Sequence, residues 1–384
     1  MKAWQCRLAL LGLAAAQIAA AAPVRFVPAE AGYVVADVSR AAPDPGLREL
    51  LLAARDRPSA ITRVALADAY LERARARREP MFVGRAESLL APPVTAGTAD
   101  AAERRRYAWT LQYRHDFDRA ARLLDAVLAA APRDVAARAQ RASVRLVRGE
   151  FAGARADCAQ LVAAGEVLVG LPCLAEAMAG QGDLERGRSL LATFAAPTSA
   201  EPRVRAYLLA VRAELDERAG RPDAAIAGYS TALTLAPDED SIRAALADAL
   251  RTRGDRPDAA TVADIDRPSL ALLARQALAA EGEARSRLRQ RARELLALER
   301  DRADAAHERE AALLALDAGD AAAALTAARV NFERQRELPD VRVLARAAVA
   351  ARDAAALAEL RRWLAETRFA DVVTAGILAT AERG

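Results

Sequence analysis

A turn-forming residue, mostly followed by an acid, recurs at a nearly fixed interval along most of this chain. His115-Asp-Phe, Gly149-Glu-Phe, Gly182-Asp-Leu, Gly220-Arg-Pro, Gly254-Asp-Arg and Gly319-Asp-Ala are spaced 34, 33, 38, 34 and 65 residues apart, and the last interval is close to twice 33. Glycine at such a break supplies the positive φ of a helix C-terminal cap, and an acid after it favours the start of the next helix. A second breaker ends many units: Pro92, Pro132, Pro197, Pro237 and Pro268. Between the breaks the chain is rich in Ala, Leu, Arg and Glu, all strong helix formers. A helix–turn–helix unit repeated every 33–35 residues specifies a solenoid. One alanine-rich hairpin cannot bury enough apolar surface to be stable alone, whereas stacked hairpins share one continuous core.

Composition narrows the function classes. The 384 residues are 53% hydrophobic, which excludes a mostly disordered chain, and carry 56 Lys plus Arg against 52 Asp plus Glu. That near balance argues against a nucleic-acid partner. The only lysine is Lys2, inside a segment expected to be removed. A mature chain without lysine has no P-loop lysine, no Schiff-base lysine and no Ser–Lys dyad. The two histidines and the two cysteines left after processing are too few for a Cys/His structural zinc site, so neither a metal nor another cofactor is expected.

The repeat units resemble the tetratricopeptide repeat. In 101–134, with Pro132 as the closing proline, Tyr107, Ala108 and Leu111 fall on the first-helix packing positions, and Ala120, Leu124 and Val127 on the second. The 206–239 unit matches in its second half through Ala225, Tyr229, Ala232 and Pro237, but places Arg212 and Asp216 where the family keeps apolar residues. Units at 134–166 and 168–199 keep Ala142 and Ala175 where helices approach closely. The whole chain is also similar to exported bacterial proteins of this repeat type. The resemblance implies an all-α, right-handed superhelical solenoid of antiparallel helix pairs over 47–384, with about nine hairpins and a terminal helix near 369–382.

The N-terminus reads differently. Met1–Arg7 is basic, and Leu8–Ala22 is apolar or small apart from Gln17. With small residues at Ala19 and Ala21, this describes a secretory signal peptide, 1–21, cut after Ala21. The apolar run is about 15 residues, short of the roughly 20 that a spanning helix needs. No later stretch is apolar enough to span a membrane, and the expected location is the periplasm. Residues 22–46, with β-branched runs and Pro23, Pro28, Pro43 and Pro45, read as an extended arm. In an oxidising compartment Cys158 and Cys173, on consecutive antiparallel helices, are a candidate disulfide.

No catalytic motif stands out, and no enzymatic activity is expected. His115 beside Asp116 reads as a turn residue, and His307 as a helix-start residue among charges. The Arg285–Arg302 run reads as a solvated, ion-paired face. In the resembled family, ligands lie against the first helix of each repeat. Carried onto this sequence, that groove holds Arg105, Arg106, Trp109, Gln112 and Tyr113, and in the 206 unit Tyr207, Glu214 and Arg218. Arginines beside aromatics suit a peptide carboxylate or an acidic segment. The expected function is a non-enzymatic scaffold for a protein or peptide. The alternatives are a self-associating structural or assembly factor of the cell envelope and, behind it, a cell-wall-active enzyme. For the exported protein, N-terminal sequencing of the periplasmic form should start at Ala22; a start at Met1 would remove the signal peptide.

Overall fold

In a computed structural model of the chain, residues 45–77, 79, 81–194, 197, 199–257, 259–262, 268–301 and 307–382 are described. The segment expected to be a signal peptide, and all but the last two residues of the expected arm, lie outside them. Among the described residues every regular element is an α-helix. A first helix, α1 (Pro45–Asp56), precedes nine antiparallel pairs. These are α2 (Ala60–Arg77) with α3 (Met81–Thr95), α4 (Ala101–Tyr113) with α5 (Phe117–Ala130), and α6 (Val135–Val147) with α7 (Phe151–Ala163). Next come α8 (Val167–Gly180) with α9 (Leu184–Ala192), α10 (Pro202–Arg218) with α11 (Pro222–Leu235), and α12 (Asp240–Arg253) with the short α13 (Ala259–Val262). The last pairs are α14 (Leu270–Ala279) with α15 (Gly282–Asp301), α16 (Glu308–Asp317) with α17 (Ala321–Arg334), and α18 (Leu338–Ala350) with α19 (Ala354–Thr367). A terminal helix, α20 (Val372–Thr380), follows.

The turn chemistry recurs from hairpin to hairpin. His115, Gly149, Gly182, Gly220, Gly254 and Gly319 all have positive φ, between 56° and 97°. The residue after each closes a six-residue loop back into the preceding helix: Glu150 N–H donates to Arg145 O at 2.8 Å, Asp183 to Met178 O at 2.9 Å and Asp255 to Leu250 O at 2.9 Å. This is the Schellman termination, which satisfies carbonyls that the helix end leaves open. Asp116, Asp320 and Asp353 then cap the second helix by accepting from the amides of Arg119, Ala323 and Ala356. The turns at Gly165, φ 90°, and Arg352, φ 53°, share the geometry, with Glu166 N–H donating to Leu161 O at 3.0 Å and Asp353 N–H to Ala348 O at 3.1 Å. Gly282 has positive φ, 54°, within the 65-residue interval, and Arg352 extends the series without a glycine. The expected breaker Pro92 does not end its helix. Pro92 and Pro93 both lie inside α3, where Ala96 N–H still reaches Pro92 O at 2.9 Å and the helix runs on to Thr95.

Packing follows the repeat positions. Tyr107, Ala108, Leu111, Ala120, Leu124 and Val127 are buried, as are Ala142, Ala175, Ala225, Tyr229 and Ala232. Small residues are required where backbones meet: a Cβ on Gly187 of α9 would lie 2.6 Å from the Ala175 carbonyl oxygen of α8. The charges at family-apolar positions find other solutions. Arg212 is exposed, and Asp216 pairs with Arg188 of α9 at 2.6 Å.

The solenoid does not stay open. One core cluster joins Leu146, Phe151, Cys158 and Cys173 of the middle hairpins to Leu338, Leu344 and Phe369 near the C-terminus. The Arg336 amide donates to Val147 O at 2.7 Å, a backbone bond across the fold. A Cβ on Gly149 would touch Arg336 and Trp363, one on Gly182 would touch Arg368, and one on Gly220 would touch Val372. The hairpin turns of α6/α7, α8/α9 and α10/α11 are thus the seat for the last two repeats.

Cys158 of α7 and Cys173 of α8 are bonded, with Cα atoms 5.6 Å apart and 15 residues between them in sequence. Thiol titration of the denatured, unreduced protein should find no free thiol in the mature chain. Cys158→Ser should lower stability by about 3 kcal/mol, the entropy a loop of this length withholds from the unfolded chain; two free thiols in the native protein would contradict this.

Candidate functional site

The first helices of the later pairs line a cavity of about 670 Å³ that is open to solvent on one side. Its wall comes from α8, α10, α12, α14, α16 and α18, with His115 entering from the turn after α4. Charge sits on this wall because solvent lies behind few of its positions and each charge must be matched by a neighbour. Arg275 on α14 bridges Asp248 of α12 at 2.7 Å and Glu310 of α16 at 2.6 Å. Arg309 on α16 bridges Glu337 at 2.8 Å and Asp340 at 2.5 Å, both at the start of α18. Arg342 on α18 donates twice to Asp371, the N-cap of α20, at 2.7 and 3.0 Å, and also pairs with Glu217 at the end of α10. Tyr229 of α11 donates to the same Glu217 at 3.2 Å. Arg275, Glu310, Asp340, Arg342, Glu217 and Asp371 are all buried.

Two corners of the cavity break this matching. In one, Glu176 of α8 makes no hydrogen bond or ion pair to another described residue, and neither does the hydroxyl of Tyr207 on α10. Glu214, one turn along α10 from Ala210, has only Arg218 near it, at 4.0 Å. Arg218 is itself engaged elsewhere: it donates to Ala179 O at 2.9 Å and Ala370 O at 3.0 Å and lies 3.9 Å above the Phe369 ring. Burial, reinforced by Glu214 and Glu337, therefore raises the Glu176 carboxyl well above its ordinary value. Burial raises Glu214 to about 7, since Arg218 offsets it only in part and Glu337 and Glu217 add to it. Burial and the carboxylates of Glu176 and Glu214 also raise Tyr207. In the other corner, Arg346 of α18 faces the cavity without a hydrogen bond or ion pair to a described residue, and burial and the charge of Arg251 lower its pKa.

The two histidines meet at the cavity although they are far apart in sequence. Their ring centroids are 5.7 Å apart, edge to face. Gln335 Nε2 lies 3.2 Å from His115 Nδ1, and His307 Nδ1 lies 2.9 Å from Glu299. Burial, and then the charge of His307, pushes His115 down to about 4. Burial also pulls His307 down, but the Glu299 hydrogen bond and the Glu310 charge outweigh it and raise its pKa. His115 is thus neutral near pH 7. His115 was expected as a turn residue and His307 as a helix start, and both positions hold; the contact between them has no signature in either local sequence.

The expected groove residues divide into two places. Those on α4 do not line the cavity. Arg105 pairs with Asp134, the N-cap of α6, and Arg106 pairs with Asp68 of α2. Gln112 donates to Ala108 O within its own helix at 3.4 Å. Trp109 packs partly against the N-terminal core and stacks on Tyr113 at 6.1 Å, and Tyr113 is 45% exposed. On α10, Tyr207 and Glu214 face the cavity, whereas Arg218 is 1% exposed. The expectation that Arg218 faces a partner is corrected: its position on the concave side is filled by the chain's own Phe369 and Ala370. Along α15, the arginine run is ion-paired within and beyond its helix, through Arg285 and Arg289 with Asp317 and Arg287 with Glu283.

Solved structures similar to this chain include tetratricopeptide-repeat proteins. A thermophilic example from Thermus thermophilus is 26% identical over 51% of this chain and 99% of its own, with a TM-score of 0.37. One from Parabacteroides merdae is 12% identical over 79% of this chain and 99% of its own, with a TM-score of 0.37. The tetratricopeptide domain of P58(IPK) is 16% identical over 83% of this chain and 97% of its own, with a TM-score of 0.22. No protein-family model and no curated protein matches the chain.

The raised Glu214 carboxyl sets a pH dependence. The native state holds a proton that the unfolded chain releases near 4.5, so its contribution is full below that value and is lost as pH rises through about 7. Glu214→Gln should flatten the fall in stability between pH 5 and 8 and be more stable than the wild type above pH 7. Urea unfolding at both pH values checks this; parallel pH profiles for the two proteins would contradict it.

Proposed function

We propose that this chain is an exported, non-enzymatic scaffold of the periplasm that holds a protein or peptide partner on its helical-repeat surface. The observation that supports it is the α4 face: the stacked Trp109 and Tyr113, the latter 45% exposed, with the partly exposed Arg106 on the same helix. Rigid aromatics give contact area at little entropic cost, and Arg106 beside them is held in place by two hydrogen bonds to Asp68. The helix itself is held in register by a capping box, in which Asp100 accepts from the Glu103 amide at 2.8 Å and Glu103 accepts from the Asp100 amide at 3.0 Å. A preformed platform of this kind binds by surface complementarity, with little ordering on contact. The turn residues, and Arg275, Arg309 and Arg342 with their carboxylates on the inner wall, have structural partners that explain them without a reaction.

The test is affinity purification of the mature protein from its native periplasm, with mass spectrometry, for the wild type and for Arg106→Glu/Tyr113→Ala. A partner recovered with the wild type and depleted about tenfold or more with the variant, at an unchanged melting temperature, supports the α4 platform. Absence of any protein partner for the wild type would overturn the scaffold reading.

A further inference from the structure

We infer that this cavity is a binding site for a short unblocked peptide of about three residues, its free amine held at Glu176, Glu214 and Tyr207 and its carboxylate at Arg346. The inference stands apart from the α4 platform, since it concerns a small ligand inside the solenoid and not a protein on its surface.

The reasoning begins with what the inner wall leaves unmatched. Arg275, Arg309 and Arg342 each face two carboxylates at hydrogen-bonding distance, so those charges are complete. Glu176 and the Tyr207 hydroxyl have no partner among the described residues, and Glu214 has only the distant Arg218. A wall that neutralises its charges so consistently leaves this corner with acceptors facing open space. Glu176, Tyr207 and Glu214 are only partly buried and open onto the cavity, so an entering ligand can reach them, and a carboxylate that loses its water to that ligand needs a charged partner in exchange. Among the described residues no three His, Cys, Asp or Glu side chains converge as metal ligands would, so an organic cation fits better than a metal ion.

Arg346 is the complementary observation. It lines the same cavity, on the same helix as Arg342, without a hydrogen bond or ion pair to a described residue, although the charges of Asp248 and Asp371 reach it. A guanidinium fork matches a carboxylate in two parallel hydrogen bonds. The cavity is therefore bipolar, with an acidic corner on α8 and α10 and a cationic one on α18. Glu337, which adds to the negative potential at Glu176, and Arg346 stand about 13 Å apart along α18 at 1.5 Å per residue. Side chains reaching inward shorten that gap, and three extended residues span about 10 Å. A cavity of about 670 Å³ lies in the range of small-ligand sites. Between the corners the lining includes Ala206, Ala210, Val211, Ala245 and Val343, which suits small apolar side chains and excludes a large charged polymer.

The test is isothermal titration calorimetry of the full mature protein with trialanine, N-acetyl-trialanine and trialanine amide. Trialanine should bind, and blocking either end should weaken binding by about tenfold or more, the worth of one charge-assisted contact. Glu176→Gln/Glu214→Gln should bind the acetylated and free forms equally, and Arg346→Gln should bind the amide and acid equally. Each variant should keep a cooperative melt, which separates a lost site from a lost fold. Binding should also release protons as the Glu214 and Glu176 carboxyls ionise, read as a buffer-dependent heat. No binding of trialanine at millimolar concentration, or binding indifferent to both blocking groups, would overturn the inference and would leave the partner-capture experiment unaffected.

Discussion

Arg342 holds the solenoid shut. It is 5% exposed and grips two carboxylates from distant parts of the chain, Glu217 at the end of α10 and Asp371 at the start of α20. A helical-repeat array is ordinarily quasi-one-dimensional, each hairpin touching only its neighbours. Here the guanidinium ties the fifth pair to the ninth and to the terminal helix. Around it, Arg218 reaches the Ala370 carbonyl, Arg336 donates its amide to Val147, and Phe151 packs against Trp363 and Phe369. Removing one member of such a buried set leaves the others charged and unpaired, which costs about 3–5 kcal/mol.

Closure also creates the cavity. An open solenoid presents its first helices to water as a groove. Once the last repeats sit on the turns of the middle ones, that groove becomes an interior, and its charges must find partners within the protein. Most do, through the arginines of α14, α16 and α18. The few that do not, at Glu176, Glu214, Tyr207 and Arg346, are distinguished by that contrast. The α4 face lies outside the closed part, and its arginines are engaged with Asp68 and Asp134 while Tyr113 stays exposed.

The local rules of the fold were legible in the sequence. The positive-φ turns were readable because only glycine and a few polar residues tolerate that geometry, and the buried alanines because close helix crossings admit nothing larger. Gly282, although Glu283 follows it, was hidden because it stands 28 residues after Gly254 and 37 before Gly319, off the 33–35 period, and Arg352 because it is not a glycine. Pro92 misled as a breaker by a few residues: it and Pro93 sit inside the last turn of α3, which ends at Thr95. The site was much less legible. Tyr207 and Glu214 were singled out from their helix face, but Arg218, one turn away, shares that face and is capped by the C-terminal segment. Whether such a position meets a ligand or the chain itself depends on the small rotation accumulated over many repeats, which no local pattern carries. The same accumulation brings His115 and His307 together and puts Arg346 and Glu176 on the wall of one cavity.

The most direct measurement is a double-mutant cycle between Glu217 and Arg342, with urea unfolding of Glu217→Gln, Arg342→Leu and the pair. Closure predicts a coupling energy in the range of about 1–3 kcal/mol between residues that an open array would hold apart. Strict additivity of the two substitutions, within about 0.3–0.5 kcal/mol, would mean that the residues do not touch in solution and would contradict the closed solenoid.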